Sequence, residues 1–268
     1  MVLLITKTAY QNCLLEKTML RLLKALPAIL AVAVSTAFFT SCGSSNAQVR
    51  FVNAIQNTAD YGNGGLDVDV NGTKYFTDIT FPSASASTYT AVPSGTDTIE
   101  GLEYNSTTEV FSQTTPTSLL PGGDYTMVAT GFAGGTGGNV VLISPQDNNT
   151  APTEGNVEFR VINASPSGPT AVDVYIEQSP FIGNIVQGTN QVTALSYRST
   201  SAYVTLPWNS SGDGWQIYVC TTGSTTPIAE FDATFGSQTT ESIRTFVLVD
   251  NVNGNTMSSA PIVLSDLN

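Results

Sequence analysis

Asp67-Val68-Asp69-Val70-Asn71-Gly72, followed by Asp78, sets oxygen donors at positions 1, 3, 5 and 12 of a loop with glycine at 6. A hard cation such as calcium takes ligands in that spacing. Val68 and Val70, however, alternate as strand residues do, and Asn71-Gly72 is a hairpin turn. A strand is therefore expected here, and no metal. Glu100 and Glu103 are near enough in sequence to suggest acid/base work, which needs a shared cleft. Three apart on a strand, they fall on opposite faces. The chain has no histidine, which excludes a Ser-His-Asp triad, a Cys-His pair and His-ligated zinc. It has no G-x-S-x-G elbow and no phosphate loop, and the run Gly131–Gly138 reads as a hairpin loop. No catalytic residue and no cofactor is expected. One loop stands apart: Trp208-Asn209-Ser210-Ser211-Gly212-Asp213-Gly214-Trp215, bracketed by both tryptophans of the protein. Indole faces beside the Asn209 and Asp213 side chains make a surface that stacks on sugars or anchors a protein. Trp208, Asn209, Asp213 and Trp215 are the candidate binding residues. The competing reading puts Trp215 in a core and Trp208 as a cap on its end. Cys220 falls on the opposite strand face from Ile217 and Val219 and reads as an inert thiol.

The N-terminus carries a different chemistry. Arg21 and Lys24 precede an apolar run, Ala25 to Phe39, which meets Thr40-Ser41-Cys42-Gly43-Ser44-Ser45. A basic start, an apolar run of this length and small residues at its exit form a secretory signal. The run falls short of the roughly 18 residues of a membrane span. A cysteine directly after small residues resembles the lipobox of bacterial lipoproteins, with Phe39 where leucine is usual. That resemblance implies that Cys42 is lipidated and becomes the new N-terminus, on a tether of residues 42–46. An ordinary cleaved signal with Cys42 incidental is the alternative. Residues 1–41 are long for a signal, so Met19 is the expected true start. Removing Lys7, Glu16, Lys17, Arg21 and Lys24 leaves 5 basic and 20 acidic residues. Such a chain cannot neutralise phosphates, so nucleic acid is not an expected partner. Cys220 would have no intramolecular disulfide partner once Cys42 is lipidated.

The elements that must hold these residues come twice. Val49-Arg50-Phe51-Val52-Asn53-Ala54 returns as Phe159-Arg160-Val161-Ile162-Asn163-Ala164. Leu66-Asp67-Val68-Asp69-Val70 returns as Val172-Asp173-Val174-Tyr175-Ile176, and Tyr89 with Pro93 returns as Tyr203 with Pro207. Tyr125-Thr126-Met127-Val128 matches Arg244-Thr245-Phe246-Val247, and Val140-Val141-Leu142 matches Ile262-Val263-Leu264. A period near 110 residues is the size of an immunoglobulin-like sandwich. Apolar residues recur at every second position between turn signals, which predicts antiparallel sheets with one face on a core and one in water. The expected architecture is all-β: two tandem immunoglobulin-like β-sandwich domains, residues 47–150 and 151–268, of roughly seven strands each, with a polar hinge from Ser144 to Gly155. Asp67 and Asp173 are expected to accept hydrogen bonds from a neighbouring strand, or from Arg50 and Arg160.

The V-R-F-V-N-A and F-R-V-I-N-A strands, the D-V-D-V and D-V-Y-I strands and the V-P and L-P turns resemble the envelope family called domain of unknown function 4397. The resemblance implies the fold and an address behind a secretion or lipoprotein signal, and it implies no reaction. The expectation is a non-catalytic lipoprotein of the bacterial cell envelope, held by its N-terminal lipid at the outer membrane or cell surface. It would bind an envelope protein or a glycan through loops at one end. A passive spacer or coat component without a ligand is the alternative.

Overall fold

A computed structural model describes residues 45–56, 65–85, 88–134, 139–178, 191–208, 215–233, 242–252 and 256–267. These residues are all-β, with no helix among them. The first repeat holds β1 (Asn46–Gln56), β2 (Gly65–Val70), β3 (Thr73–Thr80), β4 (Ser83–Ala84), β5 (Thr90–Pro93), β6 (Thr98–Glu103), β7 (Glu109–Thr114), β8 (Asp124–Phe132) and β9 (Val141–Ile143). The second repeats the order with β10 (Asn156–Asn163), β11 (Ala171–Gln178), β12 (Val192–Ser196), β13 (Ser199–Thr200), β14 (Val204–Pro207), β15 (Trp215–Thr221), β16 (Pro227–Ala233), β17 (Ile243–Leu248) and β18 (Ile262–Ser265). Among the described residues each repeat has 9 strands rather than about seven. The additional ones include the two-residue strands β4 and β13, too short to show a period in sequence.

Each repeat packs two sheets. In the first, β4-β1-β8-β9 with β5 beside β1 faces β3-β2-β6-β7; in the second, β13-β10-β17-β18 with β14 beside β10 faces β12-β11-β15-β16. The pairing is antiparallel except for β1 with β8 and β10 with β17, which run parallel. A parallel neighbour requires a long crossover, and the whole second sheet of each repeat supplies it. Val49, Phe51 and Ile55 of β1 meet Leu66, Val68, Ile99 and Met127 in one core. Val157, Phe159 and Val161 of β10 meet Val174, Trp215, Ile217 and Phe246 in the other.

The opposite face of β1 departs from expectation, because it does not meet water. Val52, Ala54 and Val128 pack against Ile162, Ala164, Val247, Val249 and Leu264 in a third cluster, shared by the two repeats. The layers are therefore four: outer sheet, inner sheet, inner sheet, outer sheet. From Val49 to Gln56 every residue of β1 is buried, which is why the segment reads as a near-continuous apolar run, as sheets covered on both faces do. Residues 43–268 cluster as one compact unit.

Equivalent rows of the two inner sheets meet. Thr130, paired with Ala54 on β1, donates its hydroxyl to the Ala164 carbonyl at 2.7 Å, and Ala164 is the counterpart of Ala54. Gln56 at the end of β1 donates to the Asn251 carbonyl, 3.1 Å, just beyond β17. β1 and β10 therefore run in the same direction, and the repeats are related by a local two-fold along the strands.

Candidate functional site

Between the inner sheets lies a charged cluster built from one row of each. Arg50 and Arg160 point away from their own cores into the shared layer, 0% and 1% exposed. Each holds its own repeat first: Arg50 Nε donates to Thr126 Oγ1 and Arg160 Nε to Thr245 Oγ1, both at 2.8 Å. Each then crosses over. Arg50 reaches the Ser265 carbonyl at 2.5 Å and pairs through Nη2 with Asp266 Oδ1. Arg160 reaches the Gln146 carbonyl at 3.0 Å and pairs through Nη2 with Asp147 Oδ1. The second carboxylate oxygens are also occupied. Asp147 Oδ2 accepts from Thr126 at 2.7 Å and Tyr89 at 2.6 Å; Asp266 Oδ2 accepts from Thr245 and Tyr203, both at 2.7 Å. The tyrosine rings lie under the guanidinium groups, 5.0 Å for Arg50 over Tyr89 and 4.9 Å for Arg160 over Tyr203.

Two cations and two anions cancel, so the buried cluster carries no net charge. Burial pulls the Arg50 pKa down, but the Asp147 and Asp266 carboxylates outweigh it and hold it above its ordinary value. Burial, with the Asp147 charge, pushes Tyr89 far above an ordinary phenol; burial, with the Asp266 charge, does the same to Tyr203. Each of the four carboxylate oxygens accepts from at least one donor within the protein. Chemically the arrangement is a clasp between the repeats.

Sequence reasoning left Asp147 inside a hinge, gave Asp266 no role, and missed both. The signal was present: each aspartate follows its threonine, Thr126 or Thr245, by 21 residues. The alignment of Val140-Val141-Leu142 with Ile262-Val263-Leu264 was three residues out. Val128 pairs with Ile143 as Val247 pairs with Ile262, which aligns Asp147 with Asp266. The hinge also begins later than Ser144, since Asp147 N still donates to the Asp124 carbonyl at 2.8 Å.

The arginines do not pair with Asp67 and Asp173. Those two carboxylates pin left-handed backbone on either side of their strands. Asp67 accepts the Asp78 and Asn105 N–H groups, at 3.1 and 3.2 Å, where φ is 53° and 55°. Asp173 accepts the Ala194 and Gly223 N–H groups, at 2.7 and 2.9 Å, where φ is 50° and 79°. The neighbouring-strand role expected for them is what the geometry shows. Burial raises the Asp67 pKa, but Lys74, Thr77 and the two N–H donors outweigh it and set it at about 2. Asp69, on the same strand, ends before the Asn71-Gly72 turn, where φ is 51° and 74°. Among the described residues no group of three or more His, Cys, Asp or Glu side chains is placed to hold a metal ion.

Trp215 opens β15 in the second core, 4% exposed. Trp208 is half-buried against the same core, its N–H donating to the Gly155 carbonyl at 2.7 Å. Asn209, Asp213 and Cys42 lie outside the described residues. Cys220 is free and 0% exposed beside Tyr175 and Tyr218, and burial pushes its thiol pKa up.

Residues 47–175, from β1 into β11, match the family model described as "Domain of unknown function (DUF4397)". This stretch is similar to the DUF4397 family. The DUF4397 match spans the Arg50, Asp147 and Arg160 side of the clasp and the strands bearing Asp67 and Asp173. Among solved structures, the chain is similar to "a putative adhesin from Bacteroides ovatus", 10% identical, with 82% of this chain and 95% of that chain covered and a TM-score of 0.23. No curated protein matches the chain at a significant level.

Proposed function

We propose that this protein is a non-catalytic lipoprotein of the bacterial cell envelope, fixed through Cys42, that presents its double sandwich as a binding module for a protein or glycan. The observation that carries the reading is where the chain enters the fold. β1 begins at Asn46, four residues after Cys42. Its start is held by Ser94 Oγ on the Ser45 carbonyl, 2.7 Å, and Gly122 N on the Asn46 carbonyl, 2.8 Å. A lipid at Cys42 would thus grip one end of a stiff body and leave the other end free for a ligand. That free end includes the Tyr197-Arg198 turn, where the Arg198 guanidinium stacks over Tyr197 at 4.9 Å and donates to Asn139 Oδ1 at 2.7 Å. Arg198 is a scarce positive charge on an acidic chain, and aromatic and arginine side chains are frequent anchors in interfaces. The clasp supports a non-catalytic role, because the buried carboxylates are committed to holding the repeats together.

The second reading is a passive spacer, supported by the low charge. One experiment separates them. The full chain is produced in a bacterial host, wild type and Cys42→Ala. Wild type is expected in the membrane fraction with incorporated fatty acid, and Cys42→Ala in the soluble fraction. The lipidated protein is then screened on a glycan array and against envelope extract. Retention of a partner that Tyr197→Ala or Arg198→Ala weakens at least tenfold, with an unchanged melt, supports the module. No retained partner leaves the spacer standing, and membrane-bound Cys42→Ala overturns the anchor.

A further inference from the structure

We infer that the end of the double sandwich carrying Leu120 and Trp208 is a lipid-contacting face, laid against the bilayer to which the chain is tethered. The inference rests on the Cys42 anchor proposed above and extends it to orientation. Asn46 pairs with Pro93 at the start of β1, and Asn156 pairs with Pro207 at the start of β10. Because β1 and β10 run the same way, both corners lie at one end of the body. Trp208, bonded to Gly155 beside the second corner, therefore shares its end with the tether.

The reach is short. Four Cα steps separate Cys42 from Asn46, at most about 14 Å of extended chain, so an acylated Cys42 holds this end close to the membrane surface. The surface there suits that position. Leu120 is 54% exposed in the Leu119–Gly123 turn, next to Gly122, whose N–H is bonded to Asn46. Trp208 is half-buried at this end, and tryptophan concentrates at the headgroup level of membranes. Asp97, in the neighbouring turn, is turned inward, 3% exposed, accepting from Asn71 Nδ2 at 2.6 Å. Asp124 is half-buried and Glu154 is exposed at the rim of this end, a charge that zwitterionic headgroups tolerate. A face occupied by lipid is not available to a soluble glycan, so the tryptophan that looked like a sugar platform becomes an interfacial anchor.

The opposite end supplies the control. Val252 is 73% exposed next to Asn251, which accepts from Gln56 at the far end of β1. The eleven residues of β1 put about 35 Å between the two ends. The experiment uses the lipidated full chain on phosphatidylethanolamine vesicles containing brominated lipid. A bimane probe is attached in turn at Leu120→Cys and at Val252→Cys; Cys220 is 0% exposed and does not compete. Bimane at position 120 is expected to be quenched at least threefold more than at position 252. Protein that floats with the vesicles but quenches equally at both positions, or more at 252, overturns the orientation and leaves the anchor intact. Protein that carries no lipid and stays in solution overturns the anchor and the orientation together.

Discussion

Replacing Asp266 with alanine removes one carboxylate from the middle of the clasp and leaves its partners behind. Arg50 Nη2, the Tyr203 hydroxyl and the Thr245 hydroxyl each lose an acceptor at a site that is 0% exposed. Of its two carboxylate partners Arg50 keeps only Asp147, at 3.4 Å, which already serves Arg160. Removing one member of a buried ion pair costs about 3–5 kcal/mol, because the remaining charge stays desolvated. With a urea m-value of about 3 kcal/mol/M for a body of this size, the unfolding midpoint should fall by about 1–1.7 M. Far-ultraviolet circular dichroism in a urea series measures it. Asp266→Asn keeps the shape and one acceptor and should lose less. The double substitution Arg50→Met with Asp266→Leu removes the desolvated charge and should recover much of the loss. A midpoint shift below about 0.3 M for Asp266→Ala would refute the reasoning, since it would put the cluster in the range of a solvated surface pair, about 1 kcal/mol or less.

Cutting the chain near Asn149 strips Arg160 of Asp147 and the Gln146 carbonyl, and uncovers Ile162, Ala164, Val247 and Val249. The fragment 151–268, a separate sandwich domain by the sequence reading, should instead self-associate or unfold. Mixing it with the 43–150 fragment should restore a single transition, and a monomeric, cooperative fragment by ultracentrifugation would overturn this. Alkali should loosen the clasp. Tyr89 and Tyr203 keep their protons in the fold above the pH, about 10, at which the unfolded chain loses them. Their contribution is therefore full below about pH 10 and is lost as pH rises further, by up to about 1.4 kcal/mol per pH unit for each tyrosine. Between pH 9 and 11 the melting temperature should fall more steeply with pH in wild type than in Tyr89→Phe.

How much was legible follows from which interactions leave a local trace. Val68 and Val70 alternating with Asp67 and Asp69 mark a strand wherever the partner strands lie, because side chains on a pleat alternate by covalent geometry. The doubling of the F-R-V-I-N-A segment is likewise visible in the letters, and so is the pairing of Tyr89 with Tyr203. The role of Arg50 is not. An arginine inside an apolar run reads the same whether it snorkels to water or faces a second sheet.

Sequence alone determined that the chain is all-β, that it is built from two copies of one unit and that no histidine chemistry is open to it. Tertiary structure alone decided that the copies lie face to face with their first strands pointing the same way. That arrangement depends on Val52, Ala54 and Val128 meeting Ile162, Ala164 and Val247, residues about 110 positions apart whose fit no window of sequence contains. It also depends on Asp147 and Asp266 each sitting where the other repeat's arginine arrives. Strand periodicity is a property of a backbone with its neighbours in sequence. The choice of partner for a buried charge is made by the whole fold, because only a closed interface removes water and obliges that charge to be matched.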